Sequence, residues 1–318
     1  MSERILSVGG PAASRPISDF LMVNDYQGPK AGKYYVDLNV AATGSGSPDH
    51  PFATYAEAVT ASNASIGLAA NRWWARRNYI YVCGDGIEED LTILPEKCDT
   101  IGCGSDLYPF PRIIGNHAIA ATRPTAGKAT ACRFINMGFQ DADGTADLFS
   151  APAGCHGLQF IGCTATAKTG GSAGKAFEIT NCAHVRFIDI DIVPTVGSMT
   201  NIFAVGISIE GLASIHDTQI KGGLIVGTVG VHVVEATAAA MGSRIKGVTI
   251  RATGLTINDA SGDFIVTDNN LISDAADDGS GTGGGALAVK CNIQLAAGNR
   301  VTSSDHVNAP FPIQATLS

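Results

Sequence analysis

Short runs of β-branched and aromatic residues, each ending in Gly, Asn or Asp, recur along most of this chain. The clearest lie between residues 132 and 193. They are Cys132-Arg-Phe-Ile135, Cys155-His-Gly-Leu158-Gln-Phe160 and Cys182-Ala-His-Val185-Arg-Phe187. With Ile135, Leu158 and Val185 as anchors, a cysteine stands three residues before each, and the anchors are spaced 23 and 27 residues apart. The pattern goes on through Ile215, Ile245, Ile265 and Ile293, at steps of 30, 30, 20 and 28. Strand-like runs at this period, with no helical pattern between them, predict a solenoid of strands. Like positions then stack from coil to coil at about 4.8 Å.

Outside the repeats the pattern changes. Residues 1–32 carry Gly9-Gly10-Pro11, Pro16 and Gly28-Pro29 and show no period, so they are read as an arm that is disordered or tied to a partner. A loop rich in turn residues, 42–51, leads to Thr54, and Glu57 three residues on completes a capping box. That box predicts a helix to about Ala70. Strands are expected at Tyr79–Cys83, Leu91–Ile93 and Thr100–Gly102, and coils from there to about Ser303. The glycine-rich insert 277–285 is expected as an exposed loop, and 304–318, with Pro310 and Pro312, as an extended tail.

Composition narrows the function. Charged residues make up only 16% of the 318 and the net charge is −8, so neither a nucleic acid nor an anionic membrane is expected as partner. The first ten residues lack the apolar core of a secretion signal, and no apolar run approaches the roughly 18 residues of a transmembrane helix. The eight cysteines include no Cys-x-x-Cys. They are read as reduced thiols packed inside the coil, with a disulfide between stacked coils as the alternative. The seven histidines form no metal-binding spacing, although His156, His184 and His216 fall near equivalent coil positions, which leaves an outward histidine ladder open. No glycine-rich phosphate loop is present, and no cofactor or metal is expected.

The candidate chemistry is the pair Asp189 and Asp191 in Phe187-Ile-Asp-Ile-Asp-Ile192. With Ile188, Ile190 and Ile192 inward, both carboxylates point outward, about 6.6 Å apart by strand rise. Such a pair suits acid–base work on a glycoside or calcium binding. A 30-residue step sets Asp189 over Gln219 and Asp191 over Lys221. The alternative is then a solvated face with a carboxylate–lysine contact between coils.

Tyr35-Val-Asp37, Pro51-Phe-Ala-Thr54, the capped helix, Tyr79-Ile-Tyr-Val82, Gly84-Asp-Gly86 and Ile101-Gly-Cys-Gly104 together resemble the opening of the pectate-lyase-like right-handed parallel β-helix proteins. That superfamily holds polysaccharide lyases, polygalacturonases and phage tailspikes. The resemblance implies an all-β, right-handed parallel β-helix over residues 33–303. A helix at about 54–72 caps its N-terminal end, hiding an open strand edge. Trp73 and Trp74 then pack under the cap, with a surface anchor as the alternative for one of them.

The enzymatic motifs of the family are incomplete. Arg244-Ile-Lys246 is similar to the polygalacturonase Arg-Ile-Lys, but Asp277-Asp278 follows it instead of preceding it, and His156-Gly157 lies upstream of both. The lyase Trp-Ile-Asp-His run has only Phe187-Ile188-Asp189 as an echo. The resemblance therefore implies the tailspike branch: a non-catalytic decoration, accessory capsid or tail spike protein of a phage, assembled in the host cytoplasm. It implies a homotrimer, attached to other virion proteins through the arm. The alternatives are a polysaccharide lyase or glycoside hydrolase using Asp189 and Asp191, or a spike that binds a host surface glycan without cleaving it.

Overall fold

The structure, a computed structural model, describes residues 32–67, 77–104, 111–120, 131–195, 200–211, 217–235, 243–259, 264–273, 287–289, 292–294 and 300–302. Arm residues 1–31, Trp73, Trp74, Ile215, His216, the insert with Asp277 and Asp278, Cys291, His306 and the tail 304–318 lie outside them.

Three stacks of parallel strands run along the chain. In the first, Lys33–Asp37 pairs with Asn78–Cys83, then Cys98–Gly102, Arg133–Ile135, Gln159–Ile161 and the first half of Arg186–Val193. It continues through the start of Gln219–Glu235 to Arg244–Lys246, Ile265–Thr267 and Leu287–Val289. The second runs from Gly86–Glu88 through Arg112–Ile114, Gly138–Gln140 and Thr164–Thr166 to Asn292–Gln294. The third runs from His117–Ala118 through Phe149–Ala151, Ser172–Thr180 and Phe203–Gly211 to Ile257–Asp259. All pairings between these strands are parallel; Arg300–Thr302 adds one antiparallel strand on Asn292–Gln294. The described residues are all-β with one helix and a long parallel sheet that does not close on itself, which is consistent with a β-helix.

The side-chain period of two decides which residues meet inside. The inward column of the first stack reads Tyr34, Ile80, Thr100, Phe134, Phe160, Phe187, Ile220, Ile245, Val266. The second contributes Ile113, Phe139, Ala165, Ile192, Ile225, Ile250 and Leu271, and the third His117, Phe149, Phe177, Ile207, Val231 and Ile257. Except for half-buried Tyr34, these side chains are buried.

The expected register is corrected by this core. Ile135 pairs with Ile161 and Ile161 with Ile188, at steps of 26 and 27, because alignment follows Phe134, Phe160 and Phe187. Leu158 and Val185 instead precede their strands, in the place Cys132 holds on its own. Cys155 and Cys182 belong to the turn before, so Cys132 is not in line with them. Ile265 pairs with Arg244 and not with Ile245, and Ile293 lies in the second stack.

Helix α1, Tyr55–Gly67, starts at the expected capping box: Glu57 accepts the Thr54 N–H at 3.2 Å, and the Glu57 N–H donates to Thr54 Oγ1 at 3.3 Å. The helix docks through its first turn. Glu89 accepts the Tyr55 and Ala56 N–H groups at 3.0 and 2.6 Å. Buried Tyr55 shares a 2.7 Å hydrogen bond with Thr100, in line with Ile80 and Phe134. Five of the described cysteines are buried as expected, whereas Cys83 is half-buried and Cys103 exposed.

Candidate functional site

Asp189 stands where the chain turns from the first stack into the second, with φ of 50°. The residues at the same corner in neighbouring coils share this conformation: Asn136 at 53°, Gly162 at 59°, Gly222 at 69°, Gly247 at 67° and Asp268 at 56°. Left-handed backbone is open to Gly and tolerated by Asn and Asp. The column therefore contains only those three residue types, and Asp189 has a backbone reason for being an aspartate. Its side chain is exposed.

Asp191 lies beyond the corner, opposite Leu224 in the second stack, and its Oδ1 accepts the Leu224 N–H at 3.0 Å. Partial burial raises its carboxyl above the usual range; the Leu224 N–H opposes the shift and the charge of Asp189 adds to it. The expected neighbours are corrected. The step to the next coil is 33 residues, so Gln219 faces Arg186 and Lys221 faces Ile188. Ile188 points outward and is half-buried, because the corner residue reverses the alternation; Ile190 and Ile192 are buried as expected.

His156 and His184 do not form a ladder. His156 Nδ1 accepts the Ala183 N–H at 2.9 Å, and His184 takes a left-handed corner position at φ 59°, next to Asp217. Among the described residues, no three His, Cys, Asp or Glu side chains converge as metal ligands, and no helix is long and apolar enough to cross a membrane.

A richer group of titratable side chains sits outside the third stack. Lys175 is paired with Glu178 on its own strand and with Glu210 on the next. Ser150 donates to Glu178 at 2.7 Å, Ser208 donates to Glu210 at 2.9 Å, and Asp147 accepts the Lys175 N–H at 2.7 Å. Burial opposes charge on both Lys175 and Glu178. Their mutual pairing prevails, holding the lysine above its ordinary value and, with Ser150, Glu178 below its own. Asp147 goes the other way: burial raises it, and the Lys175 N–H opposes that shift. His232, opposite Ser208, is lowered by burial, with Glu210 pulling against that shift.

An open cleft of about 470 Å³ at the start of these strands is lined by Gly144, Gly171, Ala173, Thr200, Thr228 and Thr253, among others, and not by the charged side chains of this group. Carboxyl groups and a cation joined in one network can bind a polar ligand. Sequence reading missed this group because Glu178 and Glu210 belong to no motif. Its signal was the 30-residue alignment of Phe177-Glu-Ile179 with Ile207-Ser-Ile209, which brings their outward neighbours together.

A second charged cluster lies on the first stack. Buried Arg133 grips buried Asp99 through two hydrogen bonds, and Arg77 donates to the same carboxylate at 2.8 Å and to the Ala131 carbonyl at 3.1 Å. Pairing of this kind offsets the desolvation of the buried charges.

No protein family, no curated protein and no solved structure matches this chain.

Proposed function

We propose that this chain is a structural protein of a bacteriophage virion, a decoration, accessory capsid or tail spike protein of the pectate-lyase-like parallel β-helix type. The observation that carries this reading is the occupation of its carboxylates. Asp189 serves a left-handed corner, Asp191 is tied to the Leu224 N–H, and Glu178 and Glu210 are tied by Lys175. Acidic groups that join one coil to the next suit a rod.

In this reading the chain is a homotrimer, joined to other virion proteins by residues 1–32 and assembled in the host cytoplasm. The outer face of the first stack suits contact between copies. There half-buried Tyr35, Tyr81, Ile101, Ile161 and Ile188 form an apolar stripe, interrupted by buried Ile135, and Tyr35 and Tyr81 stack at 5.2 Å. Native mass measured in solution tests the idea. A trimer is expected for the wild type, with smaller species for Ile161→Lys at unchanged circular dichroism. A wild-type monomer that also fails to join particles would sink the reading.

A second reading is favoured by the network of Lys175, Glu178 and Glu210 on the outer face of the third stack. In it the third stack binds or cleaves an acidic glycan on the host surface. Cleavage lost in Glu178→Gln but kept in Asp191→Asn would support it. No cleavage and no binding by the wild type would remove it.

A further inference from the structure

Cysteines recur at matching places in neighbouring coils. Val82 lies opposite Gly102, and the Cys103 N–H donates to the Val82 carbonyl at 2.8 Å. Register carried one residue further sets Cys103 beside Cys83. The Cys103 thiol donates to the Ile101 carbonyl at 3.9 Å, and neither cysteine is in a disulfide. Adjacent parallel strands are about 4.8 Å apart. A disulfide spans Cα separations of about 4.4–6.8 Å, and the strand spacing falls within that range.

Cys155 and Cys182 form a second pair of the same kind. Each follows a left-handed residue, Gly154 at φ 97° and Asn181 at φ 49°, and the Cys182 thiol donates to the Pro152 carbonyl of the neighbouring coil at 3.3 Å. The difference between the pairs is access. Cys155 and Cys182 are buried, at 5% and 1% exposure, while Cys103 is exposed and Cys83 half-buried.

We propose that Cys83 and Cys103 are an oxidation site, closed by a peroxide into a disulfide that staples two neighbouring coils, while Cys155 and Cys182 stay reduced. The Cys103 thiolate attacks one peroxide oxygen and the O–O bond breaks. Cys103 becomes a sulfenic acid, and the departing hydroxide takes up the thiol proton as water. The Cys83 sulfur then attacks the sulfenic sulfur; the S–S bond forms, the S–O bond breaks, and a second water leaves with the Cys83 proton. Two thiols lose two electrons and one peroxide becomes two waters. Burial, with the Cys83 thiol next to it, pushes Cys103 up to about 11. Thiolate is therefore scarce at neutral pH, and closure quickens about tenfold per pH unit on the way up.

The test treats the reduced full-length protein with hydrogen peroxide, alkylates it in denaturant without reductant, and maps its peptides. The expected product is a cross-linked pair containing Cys83 and Cys103, about 2 Da lighter than the two reduced peptides and reopened by dithiothreitol. Cys155 and Cys182 should be recovered alkylated. Cys103→Ser should give no cross-link at Cys83. If that variant fails to fold, the wild-type map decides alone. Cys83 recovered alkylated after oxidation, whether Cys103 is free or a sulfinic acid, would overturn the proposal, and so would a cross-link confined to Cys155 and Cys182.

Discussion

The inward column of the first stack changes character half-way along. From Phe134 to Phe160 to Phe187 the rings lie nearly parallel, 5.4 and 5.3 Å apart. From Ile220 through Ile245 to Val266 the same column is aliphatic. The other two stacks change with it. One coil places Phe134, Phe139 and Phe149 inward, the next Phe160, Ala165 and Phe177, and a later one Ile245, Ile250 and Ile257. In the aromatic coils Phe160 meets Phe149 edge-on at 5.2 Å and Phe177 tilted at 4.7 Å, so each ring is held by rings from its own coil and from those on either side. Such pairs contribute beyond the area they bury. Aliphatic rungs have no comparable orientation to lose. The same backbone course is thus filled either by interlocked rings or by exchangeable branched side chains.

The sharpest way to break this contrast is to remove one ring. Phe160→Ala should cost about 3–5 kcal/mol, since a cavity among five neighbouring rings cannot collapse without disturbing their geometry. Ile245→Val, in the aliphatic half of the same column, should cost only about 0.5–1.5 kcal/mol. Urea unfolding of both variants measures the difference. Equal costs would mean that the aromatic block packs no more tightly than the aliphatic one.

Acid should select the aromatic half next. His117 is buried edge-on against Phe139 and Phe149, with ring centroids at 5.7 and 6.0 Å. Its Nδ1 accepts the Leu91 N–H at 3.2 Å, which leaves the proton on Nε2, an atom with no hydrogen-bond partner. Burial lowers its pKa from 6.5 to about 4, against the opposing pull of Asp90. Between those values the unfolded chain binds a proton that the folded one refuses, so stability falls as pH drops from 6.5 to 4. The loss is about 3 kcal/mol. His117→Gln keeps an acceptor for Leu91 and should flatten this slope. An unchanged pH profile of unfolding would show that the histidine does not titrate as its burial requires.

The two halves also differ in what the sequence disclosed. The capping box at Thr54 and Glu57 and the strands at Tyr79–Cys83 and Thr100–Gly102 are local signals and appear where the chain predicts them, whereas the strand expected at Leu91–Ile93 is absent and Gly86–Glu88 forms one instead. Register is not local. The steps of 26, 27 and 33 depend on turns of unequal length, so counting from the cysteines misaligned Cys132, and the assumed 30-residue step moved Gln219 and Lys221 to the wrong partners. The repeated phenylalanines would have aligned the aromatic half correctly. The aliphatic half has no such marker, because any isoleucine can stand for any other. Lys175, Glu178 and Glu210 were invisible for a related reason. Their association needs both the coil step and the irregularity between Ser172 and Lys175, and neither is encoded in a short motif.

The smallest effects belong to the corner column, where backbone conformation and side-chain contact can be separated. Gly247 has φ of 67° and open space where a Cβ would stand. Gly247→Ala should therefore cost only the strain of a left-handed alanine, about 1 kcal/mol. Gly222 has nearly the same φ, 69°, but its added Cβ would lie 1.9 Å from Asp189 Oδ1. Gly222→Ala should cost more, because the Asp189 carboxylate must turn away. Asp189→Gly removes that obstacle and relaxes its own corner. In the double variant the Gly222→Ala penalty should then fall to the Gly247→Ala value, giving a coupling of about 0.5–1 kcal/mol between residues in adjacent coils. Additive penalties would mean that the Asp189 side chain does not lean over Gly222, and its place in the column would then rest on backbone preference alone.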